Sequence, residues 1–147
     1  MIAVDTNLLV YSHREDSPFH HEAKLTIESL RSESFTWAIP WPCVHEFIAI
    51  VTHPRIFKTP TSLDLALRAV HVWGEGENLI MLSEQTGYLE KLHEIVVPAK
   101  VIGGRIHDAQ VAALCLLYGV RELWTADRDF SIFPKLKIRN PLVSGQT

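Results

Sequence analysis

The stretch Met1-Ile2-Ala3-Val4-Asp5-Thr6-Asn7 decides the fold of this chain: three apolar residues of strand character run straight into a carboxylate and then into a helical pattern. In open parallel sheets, ligands bind outside the carboxyl ends of the strands, so an acid placed there can hold a cation or take a proton. The arrangement recurs late in the chain. Leu123-Trp124-Thr125 reads as a strand and is followed by Ala126-Asp127-Arg128-Asp129-Phe130. Two strand-end acidic motifs imply one shared site.

Strand and helix patterns alternate throughout, without an internal repeat or a low-complexity segment, which defines an α/β chain with a parallel sheet. Helices are expected at Asn7–His13, at Phe19–Leu30, after Pro40-Trp41-Pro42 with Val44, Phe47, Ile48 and Val51 as the apolar stripe, and from a Thr61/Asp64 capping box to Trp73. Two more are expected at Thr86–Val96, despite Gly87 near its start, and at Ile106–Tyr118, stopped by Gly119. The further strands are expected at Phe35–Ile39, Asn78–Leu82, Glu122–Thr125 and Leu136–Arg139.

A chain of 147 residues suits one domain over 1–147 and buries enough surface for a core without staples. Cys43 and Cys115 lie in apolar runs and read as reduced thiols of a cytoplasmic protein, and no apolar run approaches the ~20 residues of a membrane span. The net charge of −3 gives no broad basic footprint for nucleic acid. That counts only modestly against a nucleic-acid substrate, because clustered acids supply much of the charge and bound cations reverse its local sign.

Asp5 and Asp127 end strands, while Glu46 and Asp108 lie in the opening turns of helices that follow a strand or loop. All four can converge on the carboxyl edge of the sheet, with Asp129 as an alternative to Asp127. Two carboxylates ~4 Å apart repel by about 4 kcal/mol at an effective dielectric near 20, so such a cluster needs a counter-charge. An all-oxygen donor set favours Mg²⁺ or Mn²⁺ over zinc, and Mg²⁺ commonly binds carboxylates together with substrate phosphates. Taken singly, each acid has an ordinary explanation. Asp5 suits a helix N-cap, Glu46 a solvated helix face, Asp108 a helix dipole, and Asp127 or Asp129 a turn.

Val4-Asp5-Thr6-Asn7, His45-Glu46-Phe47, His107-Asp108-Ala109 and Thr125-Ala126-Asp127-Arg128-Asp129-Phe130, in that order, resemble the motifs of PIN-domain ribonucleases. More narrowly, the chain is similar to the VapC-type toxins of VapBC toxin–antitoxin systems, over nearly its whole length and including Arg139-Asn140-Pro141-Leu142. The resemblance implies a five-stranded parallel sheet, Mg²⁺ or Mn²⁺ dependence, endonucleolytic hydrolysis of RNA, a homodimer and a VapB-type antitoxin that blocks the site. It makes Asp5 and Asp108 the principal metal ligands, with Glu46 and Asp127 as third and fourth acids and Asp129 as a further candidate. Thr6, Asn7 and Thr125 become orienting residues.

Two other classes fit part of the pattern. A Mg²⁺-binding phosphoacceptor domain also gathers acids at a sheet edge, but Thr6 and Asn7 stand where it needs a second acid after the first strand, and no strand-end Lys follows the late strand. A non-catalytic PIN-like binding module accepting a basic peptide is the other. Among the basic residues, Arg14, Arg55, Lys58, Arg105 and Arg128 are candidates for RNA phosphates, with Arg105 and Arg128 best placed beside the acids. The histidines share no ligand spacing, Trp37, Trp41, Trp73 and Trp124 read as core or interface rather than base-stacking residues, and Gly103-Gly104 fits equally a loop able to move over substrate and a simple loop-to-helix turn.

Overall fold

The computed structural model describes residues 1–143, so the last four positions of the expected domain fall outside the described residues. β1 (Ile2–Val4) is buried along its whole length, as a strand covered on both faces must be. It lies at the centre of a five-stranded sheet. With β2 (Trp37–Pro40), β3 (Leu79–Leu82), β4 (Glu122–Trp124) and β5 (Ile138–Arg139), the order is β3-β2-β1-β4-β5 and every pairing is parallel. From β1 the chain steps to β2 and β3 on one side, then returns to β4 and β5 on the other. The switch in direction falls between β1 and β4, where the loops leaving the two strands part and a crevice opens. Ala3 sits opposite Leu123, and Asp5 N–H donates to the Trp124 carbonyl at 3.0 Å, so the two acidic motifs leave the sheet side by side.

The helices are α1 (Thr6–His13), α2 (His20–Ser32), α3 (Trp41–Val51), α4 (Leu63–Trp73), α5 (Tyr88–Val96) and α6 (Ile106–Leu117). α1 packs on α2 and α3, and α5 on α6. α6 buries Ala109 and the run Val111–Cys115; its small residues Ala109, Ala112 and Ala113 are wholly enclosed. Phe47 and Trp73 meet edge to face, with ring centroids 4.9 Å apart, and join α3 to α4.

The expected elements are all present, with boundary corrections that have physical causes. β2 starts at Trp37 rather than Phe35, because the Asn78 side-chain amide donates to the carbonyls of Leu30, Glu33 and Phe35 and holds that segment as a loop. α4 is capped by Ser62, whose hydroxyl accepts from Leu65 N–H at 3.3 Å. Thr61 is therefore not the cap. Its hydroxyl is engaged by His13 and Arg14 instead. Gly87 is not inside α5 but immediately before it, at φ 93°, a left-handed conformation that suits a residue without Cβ. β5 is shorter than expected, beginning at Ile138.

Candidate metal and substrate site

Asp5 occupies the N-cap position of α1, yet its side chain makes no capping bond, so the simplest structural explanation for it fails. Its carboxylate turns into the crevice between β1 and β4. One oxygen, Oδ2, accepts from Thr125 Oγ1 at 2.8 Å and from Asn7 Nδ2 at 3.4 Å; the other accepts from Cys43 Sγ at 3.5 Å. Only 6% exposed, Asp5 is pushed up to about 6 by loss of hydration, against the hydrogen bonds from Thr125, Thr6 N–H and Cys43 that favour its ionised form.

Asn7 ties the two strand ends together. Its amide nitrogen donates to Thr125 Oγ1 at 3.2 Å, and its Oδ1 accepts from Ala126 N–H at 3.1 Å. Thr125 also accepts from Asp127 N–H at 2.9 Å, which sets the direction of the late acidic loop. Asn7 and Thr125 thus both hydrogen-bond to the Asp5 carboxylate. Thr6 does not do so through its hydroxyl, which donates to Glu46 Oε2 at 3.0 Å and fixes that exposed acid on α3.

Asp108, Asp127 and Asp129 come together, each offering a carboxylate oxygen within 4.8 Å of the others. Asp5 and Glu46 stand outside that group, Asp5 as a buried acid at the strand end and Glu46 across the cleft. Asp108 is held above its ordinary value first by partial burial, then by the charges of Asp127, Asp129 and Glu46, with Arg105 opposing. The turn explanation for Asp127 is met at the same time, since its Oδ1 accepts from Asp129 N–H at 2.8 Å at the start of a 3-10 turn. That bond leaves Oδ2 free of it. Asp127 is half-buried and Asp129 exposed, and both belong to the cluster. The donor set is oxygen only and carries more negative charge than its cationic neighbour Arg105 offsets, which fits a hard divalent cation.

Arg105 Nη2 lies 3.7 Å from Asp129 Oδ1, and Arg128 is exposed between the two late acids. Arg14 is removed from the substrate candidates. Its guanidinium is paired with Asp16, donates to the Thr59 carbonyl and covers Phe57 at 4.1 Å.

A cleft of about 560 Å³ opens beside the acids, lined by Trp41, His45, Glu46, Glu84, His107 and Asp108 among others. The four tryptophans, expected in core or interface, divide by burial. Trp37 and Trp73 are buried, but Trp41 is 40% exposed and stacks on His45. Two further residues meet the site: Cys43, read from the sequence only as a core thiol, touches Asp5, and Glu84 has no signal in the sequence. Cys43 lies three residues before Glu46, a spacing that puts both on one face of α3. Glu84 follows β3 at the same carboxyl edge as the other acids and accepts from Gln110 at 2.7 Å.

The PIN domain family model matches residues 2–136. The chain belongs to the PIN-domain family. It is 32% identical over 147 residues to Ribonuclease VapC43 of Mycobacterium tuberculosis, covering 100% of this chain and 99% of that one. It is 27% identical over 137 residues to Ribonuclease VapC48 of the same organism, covering 93% and 94%. Among solved structures it superposes on VapBC2 from Rickettsia felis bound to a promoter DNA fragment, with a TM-score of 0.70, 18% identity and coverage of 95% and 98%.

Proposed function

We propose that this protein is the toxin of a VapBC-type toxin–antitoxin pair, an endoribonuclease that hydrolyses RNA phosphodiester bonds with the help of Mg²⁺ or Mn²⁺. The observation that carries the reading is the convergence of Asp108, Asp127 and Asp129 oxygens within 4.8 Å, beside Asp5 and Glu46, at the switch point of a PIN-domain sheet. Asp5 and Asp108 are the principal candidates to hold the cation, with Glu46, Asp127 and Asp129 completing the acidic set. A divalent cation bound there supplies charge neutralisation, polarises the phosphoryl oxygen and acidifies water.

The chain's own residues do the remaining work. Asn7 and Thr125 keep the Asp5 carboxylate aimed into the crevice, and Thr6 keeps Glu46 in reach. Arg105 and Arg128 face the approaching RNA backbone, where guanidinium groups suit phosphate oxygens. Nucleophilic Ser or Cys chemistry has no support: Cys43 and Cys115 are buried and their thiols are raised by loss of hydration. The burial of Asp5 likewise disfavours a phosphoacceptor role.

The likeness to VapC ribonucleases, and to a toxin solved within a VapBC complex, supports a VapB-type antitoxin as partner; a homodimeric working form and a cytoplasmic location are further parts of the proposal. No helix among the described residues is long and apolar enough to cross a membrane. The test is to incubate purified protein, free of antitoxin, with RNA and Mg²⁺ or Mn²⁺. Internal cleavage that stops on chelation supports the reading. An inactive preparation that still binds metal favours a non-catalytic module.

A further inference from the structure

We propose that the cleft between α3 and α6 is a nucleobase subsite, where the Trp41–His45 stack holds one unpaired base of the RNA strand next to the scissile phosphate. The inference rests on the ribonuclease reading and deepens it by naming what the site recognises beyond the phosphate.

Trp41 is the first residue of α3 and leaves 40% of its surface open, while Trp37 four residues earlier is completely buried. An indole left in water forfeits the burial that makes tryptophan favourable in a core, so its place at a cleft wall asks for a partner. His45 lies one helical turn on, with ring centroids 6.0 Å apart and planes inclined by 28°. That contact sets the plane of the indole before any substrate arrives. Such pre-ordering lowers the entropy lost on binding.

The cleft is continuous with the acidic site, since Glu46 and Asp108 belong to both. Charge then decides which part of a nucleotide enters. The walls carry Glu46, Glu84 and Asp108, and no Lys or Arg is among the lining residues. With a cation held at Glu46 and Asp108, a phosphate is drawn to that end of the cleft alone; the rest of the wall carries Glu84 and no cationic side chain, so it offers a phosphate nothing and leaves room for a neutral base. The other phosphates belong outside, near Arg105 and Arg128, and the base turns inward onto Trp41. His107 stands at the cleft with a ring nitrogen for its edge, and Gln110 lies beside it with its amide NH2 donated to Glu84. Only an unpaired base presents its face to a stacking side chain in this way.

The experiment uses an RNA oligonucleotide spanning a cleavage site of the wild-type protein, with a single abasic nucleotide moved stepwise across that site. Each substrate is cleaved by wild type, Trp41→Phe and Trp41→Ala. One abasic position near the scissile bond is expected to lower wild-type kcat/KM by about 10-fold, within the roughly 5- to 150-fold range of a base–aromatic stack. Trp41→Phe should keep most of that sensitivity. Trp41→Ala should cleave intact and abasic RNA at the same reduced rate, chiefly through a raised KM. A folding defect lowers cleavage of every substrate in proportion and leaves the abasic penalty unchanged; that result, or a penalty that survives in Trp41→Ala, overturns the subsite. If wild type cleaves no RNA at all, the ribonuclease reading itself falls and takes the subsite with it.

Discussion

Asp5 shows at the residue scale what the fold costs and what it gains. Burial raises its carboxyl to about 6, well above the ordinary 3.8. A carboxyl raised on folding adds stability below its unfolded value, and that contribution is lost as pH rises through the folded value. The difference is worth roughly 3 kcal/mol. In chelator, Asp5→Asn should therefore gain stability relative to wild type by roughly that amount between about pH 4 and pH 7.5, read from urea denaturation at each pH. A constant difference across the range contradicts a buried, strained acid. For Asp108, repelled by Asp127, Asp129 and Glu46, the same logic predicts that Asp108→Asn raises the metal-free melting temperature. A clear fall in thermal unfolding experiments contradicts a crowded acid cluster.

The elements carry the positions of these acids, and much of that was legible in the sequence. Asp5 could be placed because a short apolar strand precedes it directly, Asp127 because a strand ends shortly before it at Trp124, and Asp108 because it stands in the first turn of a largely apolar helix. What periodicity could not supply were contacts between distant segments. That Thr6 reaches Glu46 rather than Asp5, that Cys43 touches Asp5, and that Trp41 faces a cleft all depend on how α1, α3 and β1 are set against one another. The misplaced cap on α4 has a local cause: Thr61 and Ser62 are both good caps, and the His13 and Arg14 side chains on another segment claim the first. Ser62→Ala should cost about 1 kcal/mol in chemical denaturation. Gly87→Ala, forced to adopt φ 93°, should cost about 1–2 kcal/mol by the same measurement. No loss in either case contradicts the cap or the left-handed turn.

For the whole molecule, the order β3-β2-β1-β4-β5 brings residues from both ends of the chain to one crevice. Folding assembles the acids, so a cation that binds only the assembled site stabilises the fold by mass action. At ten times its Kd the gain is about 1.4 kcal/mol. Mg²⁺ or Mn²⁺ should raise the melting temperature of wild type, and Asp108→Asn should lose most of that shift. An equal shift in both proteins places the cation elsewhere.

The central claim is that these convergent acids hold the cation on which RNA cleavage depends. Its most direct test is the initial rate of cleavage of one RNA as Mn²⁺ is titrated into chelator-treated wild type and Asp108→Asn, side by side. Neighbours of metal ligands already cost 10- to 100-fold when removed, so loss of a ligand should lower the rate by about 100-fold or more. Wild-type cleavage should rise from background with added Mn²⁺ and fall again on chelation, while Asp108→Asn stays near background at every concentration. Cleavage that persists in chelator, or that Asp108→Asn matches, contradicts the account.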